Sequence, residues 1–129
     1  MSEPDFSNDT IAIVGVGLIG GSLGLACKRC GIGGRIIGVS REETVERAIS
    51  QGAIDDGFAY DDLPAAVAEA DIVFLCTPIS RILELIPECM ASAKPGAIVT
   101  DVGSTKAAVV AAASSSGRTD VSFVGGHPM

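Results

Sequence analysis

The stretch TIAIVGVGLIGGSLGLACKRCGIGG, residues 10–34, largely decides the fold of this chain. It begins with a short β-branched run at residues 10–15, which is typical of a buried strand. Apolar residues with helical spacing follow at residues 18–30, and the glycine-rich residues 31–34 are suited to end that helix as a C-cap. The stretch therefore predicts a strand, a tight turn and a helix.

Strands and helices alternate along the rest of the chain. Further strands are predicted at residues 35–40, at 71–78, at 97–106 where the strand turns into a helix, and from residue 121. Helices are predicted at residues 41–50, 61–70, 80–96 and about 105–113, with Pro64 in a first turn and Pro87 able to kink its helix. Alternation without hairpin signals implies parallel strands, right-handed crossovers and helices on both faces. The predicted fold class is α/β, a doubly wound parallel sheet.

Length and composition limit the number of domains and the kinds of partner. The chain has 129 residues, enough for one domain, which we place at residues 10–129 after a flexible tail at residues 1–9. The net charge of −7 argues against nucleic acid or an anionic membrane surface as a partner. The longest apolar stretch, residues 107–113, is far shorter than the roughly 18 residues of a membrane span. Because the N-terminal segment is polar and acidic, we expect a cytoplasmic protein.

The cysteines do not form a recognisable redox or metal motif. Cys27 and Cys30 lie within a predicted helix, whereas a redox CxxC motif normally opens one. Cys76 and Cys89 are far apart on a strand and a helix, and a zinc site needs paired ligand clusters. We therefore expect reduced cysteines and no metal.

The hexapeptide GVGLIG is the first motif that indicates a ligand. Gly15, Gly17 and Gly20 match G-x-G-x-x-G, and the motif directly follows a strand and opens a helix, as a dinucleotide fingerprint must. Gly15 would allow the tight turn, Gly17 the approach of pyrophosphate, and Gly20 the packing of helix on strand. The amides near Leu18 and Ile19 would face the phosphates. The motif predicts a Rossmann-type domain, the alternative being a glycine-rich turn that binds nothing.

The end of the second predicted strand indicates which cofactor binds. NAD sites normally carry Asp or Glu about 20 residues beyond the glycines, and this chain has Ser40 followed by Arg41. A hydroxyl and a guanidinium can donate to a 2′-phosphate, and no carboxylate is there to repel it. NADP is therefore favoured over NAD. The alternative is that Arg41 only begins a solvated helix, with Glu42 and Glu43 beside it.

Three later segments follow predicted strands and should meet at the same edge of the sheet. They are residues 76–78 (Cys76, Thr77 and Pro78), residues 101–106 and residues 125–129. Ligands of open parallel sheets bind beyond the carboxyl ends of the strands. We therefore expect these segments to lie beside the cofactor, with Cys76, Thr77 and Pro78 in contact with it.

Several of these motifs together resemble one enzyme family. The segments VGVGLIGGSL, GVSR, ADIVFLCTPI, VTDVGSTK and FVGGHPM are similar to those of the prephenate and arogenate dehydrogenases of tyrosine biosynthesis. The resemblance runs from residue 10 over nearly the whole chain, and its last two motifs are the specific ones. It implies oxidative decarboxylation of prephenate or arogenate with a nicotinamide cofactor, for which Ser40 and Arg41 favour NADP.

The resemblance also implies catalytic residues. His127 of the G-G-H-P motif would polarise the ring hydroxyl of the substrate, and it is the only histidine of the chain. A neutral imidazole with a pKa of about 6.5 can accept that proton at physiological pH. Ser104 would hydrogen-bond near the same hydroxyl, although it could instead, or in addition, cap the helix that follows. Lys106 and Asp101 are expected to have structural roles.

Members of this family carry a second, largely helical domain after G-G-H-P, which supplies dimer contacts and the groups that hold the substrate carboxylates. The resemblance implies that these 129 residues are the cofactor domain alone, inactive by itself, of a homodimeric protein. Two other interpretations stay open at this point. One is a ligand-sensing Rossmann module, which would normally keep an acidic residue where Ser40 stands, and the other is a related hydroxyacid or imine reductase.

Overall fold

A parallel sheet of six strands forms the centre of the structure, a computed structural model that describes residues 8–101 and 120–125. The strands are β1 Thr10–Val14, β2 Arg35–Val39, β3 Asp56–Phe58, β4 Ile72–Leu75, β5 Ile98–Asp101 and β6 Ser122–Gly125. All neighbouring strands are parallel, in the order β3-β2-β1-β4-β5-β6. This is the strand order of dinucleotide-binding doubly wound sheets, so the predicted fold class is confirmed.

Helices cover both faces of this sheet. They are α1 Leu18–Cys30, α2 Glu42–Ser50, α3 Leu63–Glu69 and α4 Ile79–Ser92, with a 3₁₀ turn at Tyr60–Asp62 just before α3. Side chains of the central strand β1 alternate between the two faces. Ala12 and Val14 pack in a core cluster with residues of α3 and α4, whereas Ile11 and Ile13 pack in a second cluster with residues of α1 and α2. All four are fully buried, as a strand covered on both sides requires.

Strand β3 is absent from the sequence prediction. It has only three residues, lies at the edge of the sheet and carries no apolar run. Its middle residue is Gly57, where a Cβ atom would lie only 1.9 Å from Cγ1 of Val45 on α2. The middle residue of this strand is therefore constrained by its contact with α2. The apolar periodicity of the strand itself cannot reveal that contact.

The helix ends follow the predicted signals closely. Gly31 ends α1 in the left-handed region with φ of 70°, and its amide reaches the carbonyl of Cys27. Pro64 lies in the first turn of α3, and α4 continues through Pro87. Helix α4 ends at Ser92 rather than at residue 96, because Ala93 has extended backbone. The helix predicted at about residues 105–113 and most of the N-terminal tail lie outside the described residues.

The four cysteine side chains are free, with Cys27 and Cys89 buried and Cys30 exposed. Within residues 8–101 and 120–125, no three His, Cys, Asp or Glu side chains are grouped so that they could hold a metal ion. None of the helices in the described part of the chain has the length and apolar character needed to cross a membrane.

Candidate dinucleotide-binding site

The turn between β1 and α1 is fixed by contacts with both neighbouring strands. Gly15 has φ of 88°, a conformation that side chains disfavour, and its amide donates to the carbonyl of Val39 at 2.7 Å. A Cβ atom at Gly15 would lie 2.6 Å from Cγ2 of Thr77 and 3.2 Å from the carbonyl carbon of Cys76. Gly15 thus joins the ends of β2 and β4 across the turn, which only glycine permits.

The other two glycines of the motif differ from each other in what surrounds them. A Cβ atom at Gly20 would lie 2.0 Å from the carbonyl oxygen of Gly15, so α1 could not pack on β1 with any side chain there. A Cβ atom at Gly17 would meet no atom of residues 8–101 and 120–125 within 4 Å, and Gly17 is exposed. Packing therefore requires Gly20, whereas the open face of Gly17 is where a ligand can approach the backbone.

The beginning of α1 is open to an anion. The helix starts at Leu18, followed by Ile19, and the first amides of a helix have no partner within it. No side chain in the part of the chain that the structure describes caps these amides, and the first turn carries no acidic residue. The partial positive charge of the helix end is therefore left for a ligand, as the fingerprint predicts.

Gly24, a further glycine of α1, extends this close packing and was not predicted from the sequence. A Cβ atom at Gly24 would lie 2.3 Å from the carbonyl oxygen of Ala53, which belongs to the segment between α2 and β3. Gly24 follows Gly20 by four residues and so lies on the same face of the helix. The spacing of four residues between Gly20 and Gly24 is the sequence signal that could have identified this contact.

Ser40 and Arg41 lie at the carboxyl end of β2, next to the glycine turn. Ser40 is 6% exposed, and its amide donates to the carbonyl of Phe58 at 3.1 Å. Arg41 is exposed, has extended backbone and precedes α2, where its carbonyl accepts the amide of Val45 at 2.9 Å. Glu42 follows in the first turn of α2, where acids are favourable. Arg41 therefore starts the helix and is also exposed beside the strand end.

The end of β4 supplies a half-buried thiol and a buried hydroxyl. The amide of Cys76 donates to the carbonyl of Val14 at 2.8 Å, which holds the segment beside β1. Burial, assisted by the charge of Asp101, raises the pKa of the Cys76 thiol to about 12, so it stays neutral and unreactive at physiological pH. Thr77 is 9% exposed, and its hydroxyl oxygen has no hydrogen-bond partner among the described residues. Pro78 then precedes α4 and accepts amides of its first turn.

A cleft of about 510 Å³ lies over these strand ends and is lined by Arg41, Tyr60, Thr77, Pro78 and Arg81. Three of these residues were predicted to contact the cofactor, and the structure brings them to one place. Tyr60 and Arg81 were not predicted. Tyr60 follows strand β3, which the sequence did not reveal. Among the described residues, the lining has two arginines and no carboxylate, in a chain whose net charge is −7.

The two catalytic candidates, Ser104 and His127, lie outside the described residues. The strands that lead to them end side by side: Leu75 pairs with Asp101, and Asp101 pairs with Gly125. Asp101 is 1% exposed and ends β5, in keeping with a structural role. Ser104 comes three residues after Asp101, and His127 comes two after Gly125.

The fold and the glycine turn define a class, the nucleotide-binding α/β domains. Comparison with known families narrows it, because the model of the prephenate dehydrogenase nucleotide-binding domain matches residues 23–129. The chain belongs to this family. The match begins at residue 23, after the whole glycine motif at residues 15–20, so the two observations support the assignment separately.

Individual relatives agree with this assignment. Prephenate dehydrogenase of Bacillus subtilis (strain 168) is 42% identical over 123 residues, which cover 94% of this chain and 33% of that protein. The crystal structure of Aquifex aeolicus prephenate dehydrogenase with hydroxyphenyl propionate and NAD+ has a TM-score of 0.82 and 31% identity, covering 94% of this chain and 42% of that one. The crystal structure of Synechocystis arogenate dehydrogenase has a TM-score of 0.78 and 42% identity, and the match covers 92% of this chain and 40% of that one. The chain spans about a third of the length of the curated relatives it matches.

Proposed function

We propose that the protein to which this domain belongs carries out oxidative decarboxylation of prephenate or arogenate with NADP, in tyrosine biosynthesis. Family membership and the similarity to both prephenate and arogenate dehydrogenases support this proposal. Residues 10–129 would be the dinucleotide-binding domain, preceded by a flexible tail. The resemblance further suggests a cytoplasmic homodimer without a metal.

The contrast among the three motif glycines is the observation that carries the proposed cofactor site. Gly15 and Gly20 are enclosed by backbone, whereas Gly17 faces open space at the uncapped start of α1. Packing among the described residues does not require a glycine at that open position. The pyrophosphate of a dinucleotide fits there, because it needs both close backbone approach and unpaired amides.

Ser40 and Arg41 support NADP over NAD. They occupy the position at the end of β2 where an NAD site would place a carboxylate, and Arg41 lines the cleft beside it. The neighbour from Aquifex aeolicus was solved with NAD+, so the proposed preference for NADP rests on the residues of this chain at the end of β2. In this chain, the guanidinium of Arg41 would bind the 2′-phosphate through charge-assisted hydrogen bonds.

His127 is proposed as the base and Ser104 as its hydrogen-bonding neighbour. The pairing of Asp101 with Gly125 supports this, since the segments carrying the two residues leave adjacent strands at the sheet edge that also bears Thr77. The bound nicotinamide supplies the hydride acceptor. The imidazole of His127 would accept the ring hydroxyl proton while the carbon bearing it loses hydride and the ring carboxylate leaves as carbon dioxide, giving an aromatic product.

A turnover assay on the full-length protein tests the proposal. We expect NADP-dependent oxidation of prephenate or arogenate, followed as reduced cofactor together with released carbon dioxide. Oxidation of neither compound, with either cofactor, by folded protein would contradict it. Activity toward a simple hydroxyacid instead would assign the protein to a different dehydrogenase group of the same fold.

A further inference from the structure

Arg81 is a second cation in the cleft beyond β2 and β4, and its position is well defined. It lies in the first turn of α4, where its amide donates to the carbonyl of Pro78 at 2.9 Å. Its guanidinium carbon lies 4.7 Å from the ring centroid of Tyr60, within the range of a cation–π contact. Nη1 also donates to Oε2 of Glu84 at 3.0 Å. The side chain is therefore held across the cleft opening rather than left free.

The topology brings Arg81 to the same cleft as Arg41 from a different part of the chain. Arg41 follows β2, Tyr60 follows β3, and Arg81 comes after β4 on the far side of β1. All three strands are parallel, so their carboxyl ends open into one space. Within the described residues, this space is lined by two positive charges and no negative one.

Arg81 keeps capacity for a ligand despite its protein contacts. A guanidinium has five N–H donors, and the described contact with Glu84 uses one of them. The Glu84 side chain is 65% exposed, so this ion pair is weak and can yield to a stronger anion. Thr77, in the same lining, has a buried hydroxyl that finds no hydrogen-bond partner in the described part of the chain, which independently indicates a polar ligand.

We propose that Arg81 is a specificity-determining residue for NADP, which binds the adenosine 2′-phosphate together with Arg41, and that Tyr60 is the residue that positions it. The proposal rests on the proposed function, since it presumes that the cleft takes the adenosine half of a dinucleotide. A phosphate dianion between two guanidinium groups receives charge-assisted hydrogen bonds from both. The 2′-hydroxyl of NAD carries no such charge, so the two arginines would strengthen the binding of NADP but not of NAD.

Calorimetric titration of the full-length protein tests this inference without relying on activity. The ligands are NADP, NAD, adenosine 2′,5′-bisphosphate and AMP, so that the 2′-phosphate is examined with and without the nicotinamide half. For Arg81→Ala, we expect about 10- to 100-fold weaker binding of the two ligands with a 2′-phosphate, the size of a lost charge-assisted hydrogen bond. NAD and AMP should change by less than about twofold.

Two variants serve as matched controls. Arg41→Ala should show the same selective loss as Arg81→Ala. Arg29→Ala removes the same charge from the exposed end of α1, away from the cleft, and should leave all four affinities nearly unchanged. Thermal unfolding of each variant confirms that the protein stays folded.

The outcomes separate this inference from the function on which it rests. Selective loss in Arg41→Ala with no loss in Arg81→Ala would overturn the role of Arg81 and leave the NADP assignment intact. Equal losses for NAD and NADP in Arg81→Ala would also overturn it, because the residue would then contact the adenine. Equal affinity of the unsubstituted protein for both cofactors would reject the NADP assignment itself, and the role of Arg81 with it.

Tyr60 provides a separate test of positioning. Tyr60→Phe keeps an aromatic face below the guanidinium and should keep the ratio of NAD to NADP dissociation constants. Tyr60→Leu removes that face and should lower the ratio severalfold while leaving NAD binding unchanged. A ratio that is the same in both variants would show that Tyr60 does not position Arg81.

Discussion

The glycine turn after β1 and the arginine cleft over the ends of β2, β3 and β4 are built in opposite ways. In the turn, Gly15 and Gly20 leave no room for a Cβ atom, and the proposed contact with ligand is made by backbone. In the cleft, the proposed contacts come from side chains, with Arg41 and Arg81 reaching in from separate strand ends. The turn would bind what NAD and NADP share, whereas the cleft would bind what distinguishes them. The predictions below test this division of roles.

The largest effect is expected from a residue that belongs to neither region. Replacing His127 by Asn in the full-length protein should lower kcat by roughly 10²- to 10⁴-fold, the range for one general base. Affinities for NADP and NAD, measured by calorimetry, should stay the same because the turn and the cleft are intact. Near-normal turnover of His127→Asn would show that another group accepts the proton.

The tight packing of the turn should make it sensitive to a single methyl group. Gly20→Ala would place a Cβ atom 2.0 Å from a backbone oxygen, and we expect about 3 kcal/mol lower free energy of unfolding. Gly21→Ala, one position further along α1, is the matched control, since its Cβ atom would be 3.6 Å from the nearest atom. It should stabilise by up to about 1 kcal/mol through helix propensity. Urea unfolding measures both, and equal effects would contradict the packing role of Gly20.

The open position in the same turn should behave differently. Gly17→Ala adds a methyl group where no atom of the described residues lies within 4 Å, so the free energy of unfolding should change by less than about 1 kcal/mol. The methyl group would obstruct the pyrophosphate, and both NADP and NAD should bind at least about tenfold more weakly. Unchanged affinity for both cofactors would remove Gly17 from the site.

The smallest effect lies at the opposite edge of the sheet. Lys94 and the amide of Thr10, 2.6 and 2.7 Å from the Asp71 carboxylate, hold the pKa of that group below its usual range. The resulting stability is therefore present at neutral pH and is lost as pH falls below about 3.9, through the lower folded-state pKa. Because Asp71 is about a third exposed, Asp71→Asn should cost less than about 1 kcal/mol at pH 7.

The pH dependence provides the check on this last prediction. The difference in free energy of unfolding between Asp71→Asn and the unsubstituted protein should shrink as pH falls below about 3.9, because the carboxyl then takes up its proton first in the unfolded chain. Cofactor affinity should not change, because Asp71 precedes β4 and the binding regions lie at the strand's other end. A difference independent of pH would show that the charge of Asp71 contributes nothing.

The two regions also differ in how far the sequence alone predicts them. The turn is local: Gly15, Gly17 and Gly20 lie within six residues, and their spacing carries the geometry. The cleft depends on which strands become neighbours, so Arg41 could be predicted from its distance to the glycines but Arg81 could not. Tyr60 was hidden for the same reason, since it follows β3, whose only distinctive residue, Gly57, reflects a contact with α2.

The division between the two regions is tested most directly by one set of calorimetric titrations on the full-length protein. We predict that the unsubstituted protein binds NADP about 10- to 100-fold more tightly than NAD. Gly17→Ala should weaken both and keep that ratio, whereas Arg41→Ala should bring the ratio close to one without weakening NAD. A ratio near one before any substitution, or the same change of ratio in both variants, would contradict the account.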